Sequence, residues 1–308
     1  MDGNTVKNPA DANGITRQYL DSILIEERII DATTASLETE ILGHKFSTPI
    51  MMPALSFLRA FLPERENAMI EYSRAALNKD MVNWAGMTDN EDFGKILATG
   101  AKTIRIIKPF ADKDKVFDEI AFAEQNGAFA VGMDIDHVFG DDGGYDVVAD
   151  YPMGTQTKED IRAYVEATKL PFVVKGVLSV SDAVKSAESG AAAIVVSHHR
   201  GRMPFAVPPL MMLPDICKAL EGSKVEIFVD CGMNSGADAY KALALGAKAV
   251  LTGRAIMPGL AKEGTEGVEK QIDKMNRELA MLMGYTGCAR TEDISADALW
   301  INGKKLGK

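Results

Sequence analysis

The chain has 308 residues, 46% hydrophobic and 25% charged, a balance that supports a sizeable core and excludes a disordered protein. Its net charge of -10 argues against nucleic acid or an anionic membrane as partner, since both want a basic patch. Cys217, Cys231 and Cys288 are too few and too scattered for a disulfide framework or structural zinc, so the reading carries no metal and a reducing compartment.

The polar start MDGNTVKNPADANG lacks a signal pattern and no run of about 18 apolar residues follows, so the expectation is a cytoplasmic protein. ITRQYLDSILIEERI has apolar residues at helical spacing and predicts a helix from Ile15, within an N-terminal extension over 1–40. After a turn at Gly43, Pro49 to Met52 reads as a first strand. NAMIEYSRAALNKD is helical by spacing and MVNWAG is a second strand, with Trp84 near its end. The helix EDFGKILATGA precedes KTIRIIKPF, a third strand ending at Lys108 and Pro109. DKVFDEIAFAEQNGA then precedes FAVGMDID, capped by Asp134 and Asp136.

Residues 138–169 open with a Gly- and Asp-rich half that reads as a lid or binding loop. Strands at 171–174, 192–196, 225–229 and 248–252 complete eight, alternating with helices such as SVSDAVKSAESGA and ADAYKALALGA. GVEKQIDKMNRELAMLMGYTG is a closing helix, followed by a tail free to fold back. The pattern predicts an α/β fold, a TIM (β/α)8 barrel with a helical extension, as one domain over 1–308.

In such a barrel the residues that end strands share one mouth, which gathers Lys175, His199, Arg202, Asp230 and Arg254. His199 is suited to taking a proton and Arg202 to gripping a carboxylate by a forked pair of hydrogen bonds; the plainer alternative is local loop bonding. Lys175 ends an apolar strand, as a Schiff-base nucleophile, as a cation for an electron-rich ligand, or in a salt bridge to Asp134. Asp134 in turn suits the orienting of a catalytic histidine. His198 reads as a loop or wall residue. DCGMNSG and TGRA end the last two strands, where barrels bind phosphate, with Gly232, Gly236 and Gly253 allowing close backbone approach and Arg254 supplying charge.

KGV, S-x-H-x-G-R, VDxGxxSGxDxxKALALGA and GRA, joined by ILGHKFSTPIMMPA and NWAGM, resemble the FMN-dependent α-hydroxy-acid oxidase and dehydrogenase family from about Leu42 to Arg290. The resemblance implies an FMN-dependent oxidation of a small 2-hydroxy acid to the 2-oxo acid, with hydride passing to flavin N5. It makes His199 the base, Asp134 its partner and Arg202 the carboxylate anchor, with Lys175 near the flavin N1 and O2. Asp230, Gly232, Gly253 and Arg254 would hold the ribityl phosphate, with Pro53 and Ala54 along the flavin edge and Ser197 and Asn234 completing the cofactor site. It also implies a homo-oligomer, a tetramer by default, acting on a small molecule.

The chain departs from the family pattern at named places. His198 and Arg200 flank the histidine where the family has asparagine and glycine, and Asn234 replaces a phosphate-binding arginine. Ile107 or Lys108 stands where the family has a tyrosine, and Arg105 replaces its glutamine. Asp141 and Asp142 replace arginines, in a lid shorter than usual. Arg200 and Trp84 are expected at the substrate, Arg200 as a substitute cation. Two alternatives stay open: a Schiff-base aldolase or lyase using Lys175 on a phosphorylated substrate, and a flavin-binding barrel without turnover.

Overall fold

The computed structural model describes residues 8–307. Eight parallel strands form its central sheet: β1 (Ile50–Met51), β2 (Asn83–Ala85), β3 (Thr103–Ile107), β4 (Ala130–Asp134), β5 (Phe172–Val177), β6 (Ala193–Val196), β7 (Glu226–Val229) and β8 (Ala249–Leu251). The hydrogen-bonded order is β1-β8-β7-β6-β5-β4-β3-β2. The ends meet through Met52 N–H donating to the Val82 carbonyl at 3.0 Å and Gly86 N–H to the Leu55 carbonyl at 2.8 Å. The barrel and all eight expected strands are present. Short β-branched runs between amphipathic helices form it because both faces of each strand are buried.

One face of every strand fills the barrel interior, with Val82, Trp84, Ile104, Ile106, Val173, Val195, Phe228 and Leu251 among the packed side chains. A hairpin of Thr39–Ile41 and His44–Phe46, turning at Leu42 and Gly43, inserts Ile41 and Phe46 into this cluster and closes the barrel floor. The second, larger core lies between sheet and helices.

The N-terminal helix differs from expectation. Helix α1 spans Ala12–Ser22, capped by the Asp11 carboxylate on the N–H groups of Asn13 and Gly14. Ile23 to Ile25 then leave the helix and pair antiparallel with Leu299–Ile301. A β-branched run with a partner strand wins over a helical spacing that has none. The tail therefore folds back on the extension. The lid contains a small hairpin, Val147–Val148 with Tyr151–Pro152, before the helix Lys158–Glu166.

Candidate active site

Side chains alternate along a strand, so positions two beyond an interior residue stay on the interior face. Ile106 leads in this way to Lys108, Val173 to Lys175, Val195 to Ser197, Phe228 to Asp230 and Leu251 to Gly253, all at the C-terminal rim. Asp134 lies opposite Lys175 in the β4–β5 register. Residues far apart in sequence thus meet because they share a parity.

The rim is a charge cluster. Lys108 Nζ lies 2.7 Å from Asp134 Oδ2, and Lys175 Nζ lies 3.1 Å from Asp134 Oδ1 and 3.4 Å from Asp230 Oδ2. Burial works against the Lys175 ammonium, but Asp134 and Asp230 outweigh it and raise its pKa. Burial also opposes the Asp134 carboxylate, and Lys108 and Lys175 overcome it, holding the group well below the usual carboxylate range. Asp134, Asp136 and His199 place their ligand atoms within 4.8 Å of one another, close enough for a cation. The two ammonium groups already supply that positive charge.

His199 is oriented by a different carboxylate from the one expected. Its Nδ1 lies 2.8 Å from Asp136 Oδ1 and 3.9 Å from Asp134 Oδ1. Asp134 is committed to two lysines, whereas Asp136, two residues further along the same face, reaches over the rim. Gly176 makes room for it: its φ is +92°, and a Cβ there would stand 2.3 Å from Asp136 Cγ. With Nδ1–H given to a carboxylate, the Nε2 lone pair of His199 is available as a base. Nε2 has no partner among the described residues. The backbone N–H of His199 donates to Ser197 Oγ at 2.9 Å, and His199 and Arg200 have φ of 46° and 63°.

His198 is a buried wall residue. Its Nδ1 accepts the Gly201 N–H at 2.9 Å, so Nε2 carries the proton it shares with Thr16 Oγ1 at 2.8 Å. That tautomer is neutral, and burial lowers its pKa.

Three residues expected at the substrate stand elsewhere, and the departures Arg105 and Asp142 have structural partners of their own. Arg202 reaches the lid, where its Nη2 donates to the Phe139 carbonyl at 2.9 Å and to Asp146 Oδ2 at 3.0 Å; the expected carboxylate anchor already holds a carboxylate of the protein. Asp146 also takes His137 Nε2 at 3.0 Å, and the His137 ring stands edge-on to His199 with centroids 5.6 Å apart. Arg200 is exposed on the rim, and its carbonyl accepts from Asn13. Trp84 is fully buried below the rim, edge-on to Phe228, because its parity turns it into the packed interior. Arg105 has the opposite parity and leaves the barrel, stacking over Phe93 at 4.5 Å and pairing with Glu119; the rim position on β3 belongs to Lys108. Asp142 is spent on a local turn, accepting the Gly144 N–H.

Helix α1 covers the β6–β8 side of the mouth. Asn13 Oδ1 accepts from Arg254 Nη2 at 2.5 Å, and Arg17 forks onto Asp238 at 2.8 and 3.1 Å. Asp238 also accepts the Asn234 N–H at 3.1 Å, and Glu278 takes the Gly236 N–H at 2.8 Å. Carboxylates therefore fill the N-terminus of helix Gly236–Ala244. The N–H groups of Gly232, Gly253 and Arg254, at the ends of β7 and β8, donate to no acceptor among the described residues. They are unpaired donors of the kind an anion accepts. Sequence reasoning missed Asn13, Thr16, Arg17 and Asp146, whose roles depend on packing between distant segments; Asp136 was visible as the partner of Asp134 in the strand cap.

The family model described as FMN-dependent dehydrogenase matches residues 10–158 and 140–301. The chain belongs to the FMN-dependent dehydrogenase family. It is 31% identical over 307 residues to 4-hydroxymandelate oxidase of Amycolatopsis orientalis, covering 88% of this chain and 85% of that one. With glycolate oxidase of Spinacia oleracea it shares 30% over 318 residues, covering 91% and 85%. A solved variant of mandelate oxidase with 2-hydroxy-phenylacetamide superposes with a TM-score of 0.85 at 28% identity, over 96% of this chain and 91% of that one. Another, carrying an FMN adduct, gives 0.83 at 28%, over 96% and 93%.

FMN is the cofactor of this family, and the rim suits it. Unpaired donors at β7 and β8 suit a phosphate, and a buried ammonium at Lys175 suits an electron-rich ring. The chain is an oxidoreductase of this family, and the Schiff-base reading of Lys175 is not favoured. A Schiff-base lysine needs a lowered pKa, whereas two carboxylates raise this one.

Proposed function

We propose that the protein oxidises a small 2-hydroxy acid to the 2-oxo acid, using FMN as hydride acceptor at N5. The observation that carries the reading is His199, oriented through Nδ1 by Asp136 with Nε2 open, beside the buried Lys175. His199 Nε2 takes the hydroxyl proton, and Asp136 keeps the imidazole in that tautomer and stabilises the imidazolium that results. Lys175 would supply positive charge to the electron-rich ring of FMN. Gly232, Gly253 and Arg254 would hold the FMN phosphate, with Asp230, Ser197, Asn234, Pro53 and Ala54 as the other residues that would hold the cofactor. Arg202 enters substrate binding only when Asp146 releases it, and Arg200 contributes surface charge at the mouth.

The whole of 1–308 is read as one FMN-binding domain. Among the described residues no helix is long and apolar enough to cross a membrane. The composition supports a cytoplasmic location, and the family resemblance supports a homo-oligomer, a tetramer in the simplest case.

The test is anaerobic mixing of the yellow, FMN-loaded protein with glycolate, L-lactate and mandelate. Bleaching of the oxidised flavin band by one of them is the expected result. A flavin that stays oxidised with all three, and with longer-chain 2-hydroxy acids, overturns the reading.

A further inference from the structure

Lys108 is buried, at 5% exposure, yet belongs to two places at once. Its ammonium bonds Asp134 at 2.7 Å, and the other oxygen of that carboxylate lies 3.9 Å from His199 Nδ1. It also lines a recess of about 360 Å³ whose walls combine the apolar Met87, Phe110 and Tyr151 with the charged Arg105, Lys115 and Glu119. Among the described residues Asp134 is its one acceptor, so two of its three N–H donors are free. An ammonium on the wall of a recess that also carries apolar surface from Met87, Phe110 and Tyr151, one carboxylate away from the base, is suited to an anionic group on a partly apolar body. Arg202 is meanwhile occupied by Asp146 and the Phe139 carbonyl.

We propose that Lys108 is the specificity-determining anchor for the substrate carboxylate, with the apolar body of a 2-hydroxy acid lying in the recess between β2, β3 and the lid hairpin. The inference rests on the proposed oxidation of a 2-hydroxy acid. A carboxylate held here receives charge-assisted bonds from Lys108 and sits within the same ion network as His199. The recess walls, Met87, Phe110 and Tyr151, select an aromatic or branched aliphatic side chain over a hydrogen atom.

The experiment uses FMN-loaded protein and two probes that cannot react, benzoate and benzamide, with binding read from the perturbed flavin absorption. Wild type is expected to bind benzoate at least tenfold more tightly than benzamide. Lys108→Met should erase that preference while leaving the benzamide Kd within about twofold, and Lys108→Arg should restore most of it. Unchanged benzoate preference in Lys108→Met overturns the proposal, and so does a wild type that binds both probes alike, a comparison that needs no variant to fold. Binding is the readout, so a protein that keeps the Lys108-dependent preference but oxidises no hydroxy acid refutes the proposed activity and leaves the anchor standing.

Discussion

Asp136 Oδ1 stands 2.8 Å from His199 Nδ1, while Asp134, on the same strand face, stands 3.9 Å from that nitrogen and is held by two lysines. Adjacent acids of the DID stretch therefore divide two tasks: one orients the imidazole and the other balances buried ammonium charge.

Asp136→Asn removes the charge that fixes the His199 tautomer. Flavin reduction by substrate should slow by roughly 10²-fold or more with FMN content unchanged, because general-base catalysis contributes on that scale. Stopped-flow reduction at saturating substrate is the measurement, and a rate within threefold of wild type sinks the assignment.

Asp134→Asn leaves Lys108 and Lys175 without their shared counter-charge. Breaking a buried pair from one side costs about 3–5 kcal/mol, so the loss should appear as a lower denaturation midpoint. Asp136→Asn, at a less deeply buried position just past the strand, should lose far less.

Gly176→Ala places a methyl group 2.3 Å from Asp136 Cγ at a φ of +92°. The left-handed backbone alone costs about 1–2 kcal/mol, and the displaced carboxylate should reproduce the slow flavin reduction of Asp136→Asn. A Gly176→Ala protein of full activity would contradict the role of this glycine.

His137 carries a pH signature. Burial, aided by Lys108, Arg202 and His199, pushes its pKa down to about 4, against the bond to Asp146. The unfolded chain takes up this proton near pH 6.5 and the folded one only near 4, so stability should fall as pH drops through that window. His137→Asn should flatten this part of the stability profile, as measured by denaturant melts at pH 7, 5.5 and 4.5.

The fold was readable because each strand announced itself as a short β-branched run ending in polar residues, and the rim followed from strand-end position. Parity was the hidden variable. Trp84 is in the interior phase but lies below the rim, Arg105 falls one residue off that phase, and the β3 rim position goes to Lys108, a choice that residue types alone left open between Ile107 and Lys108. Asp134 and Asp136 share a phase, so only the bulge at Gly176, where the β5–β6 register shifts, decides which one reaches His199. The Arg202–Asp146 contact was illegible for another reason: it joins a loop after β6 to a hairpin after β4, and no periodicity connects them.

Helix α1 meets the far end of the barrel through Asn13 with Arg254 and Arg17 with Asp238, pairs 241 and 221 positions apart. During synthesis the helix emerges first, and its docking ledge leaves the ribosome only after the last strand has been made. Nascent chains that stop before residue 253 lack two of the three unpaired N–H donors at the ends of β7 and β8, so that side of the mouth is completed only late in synthesis.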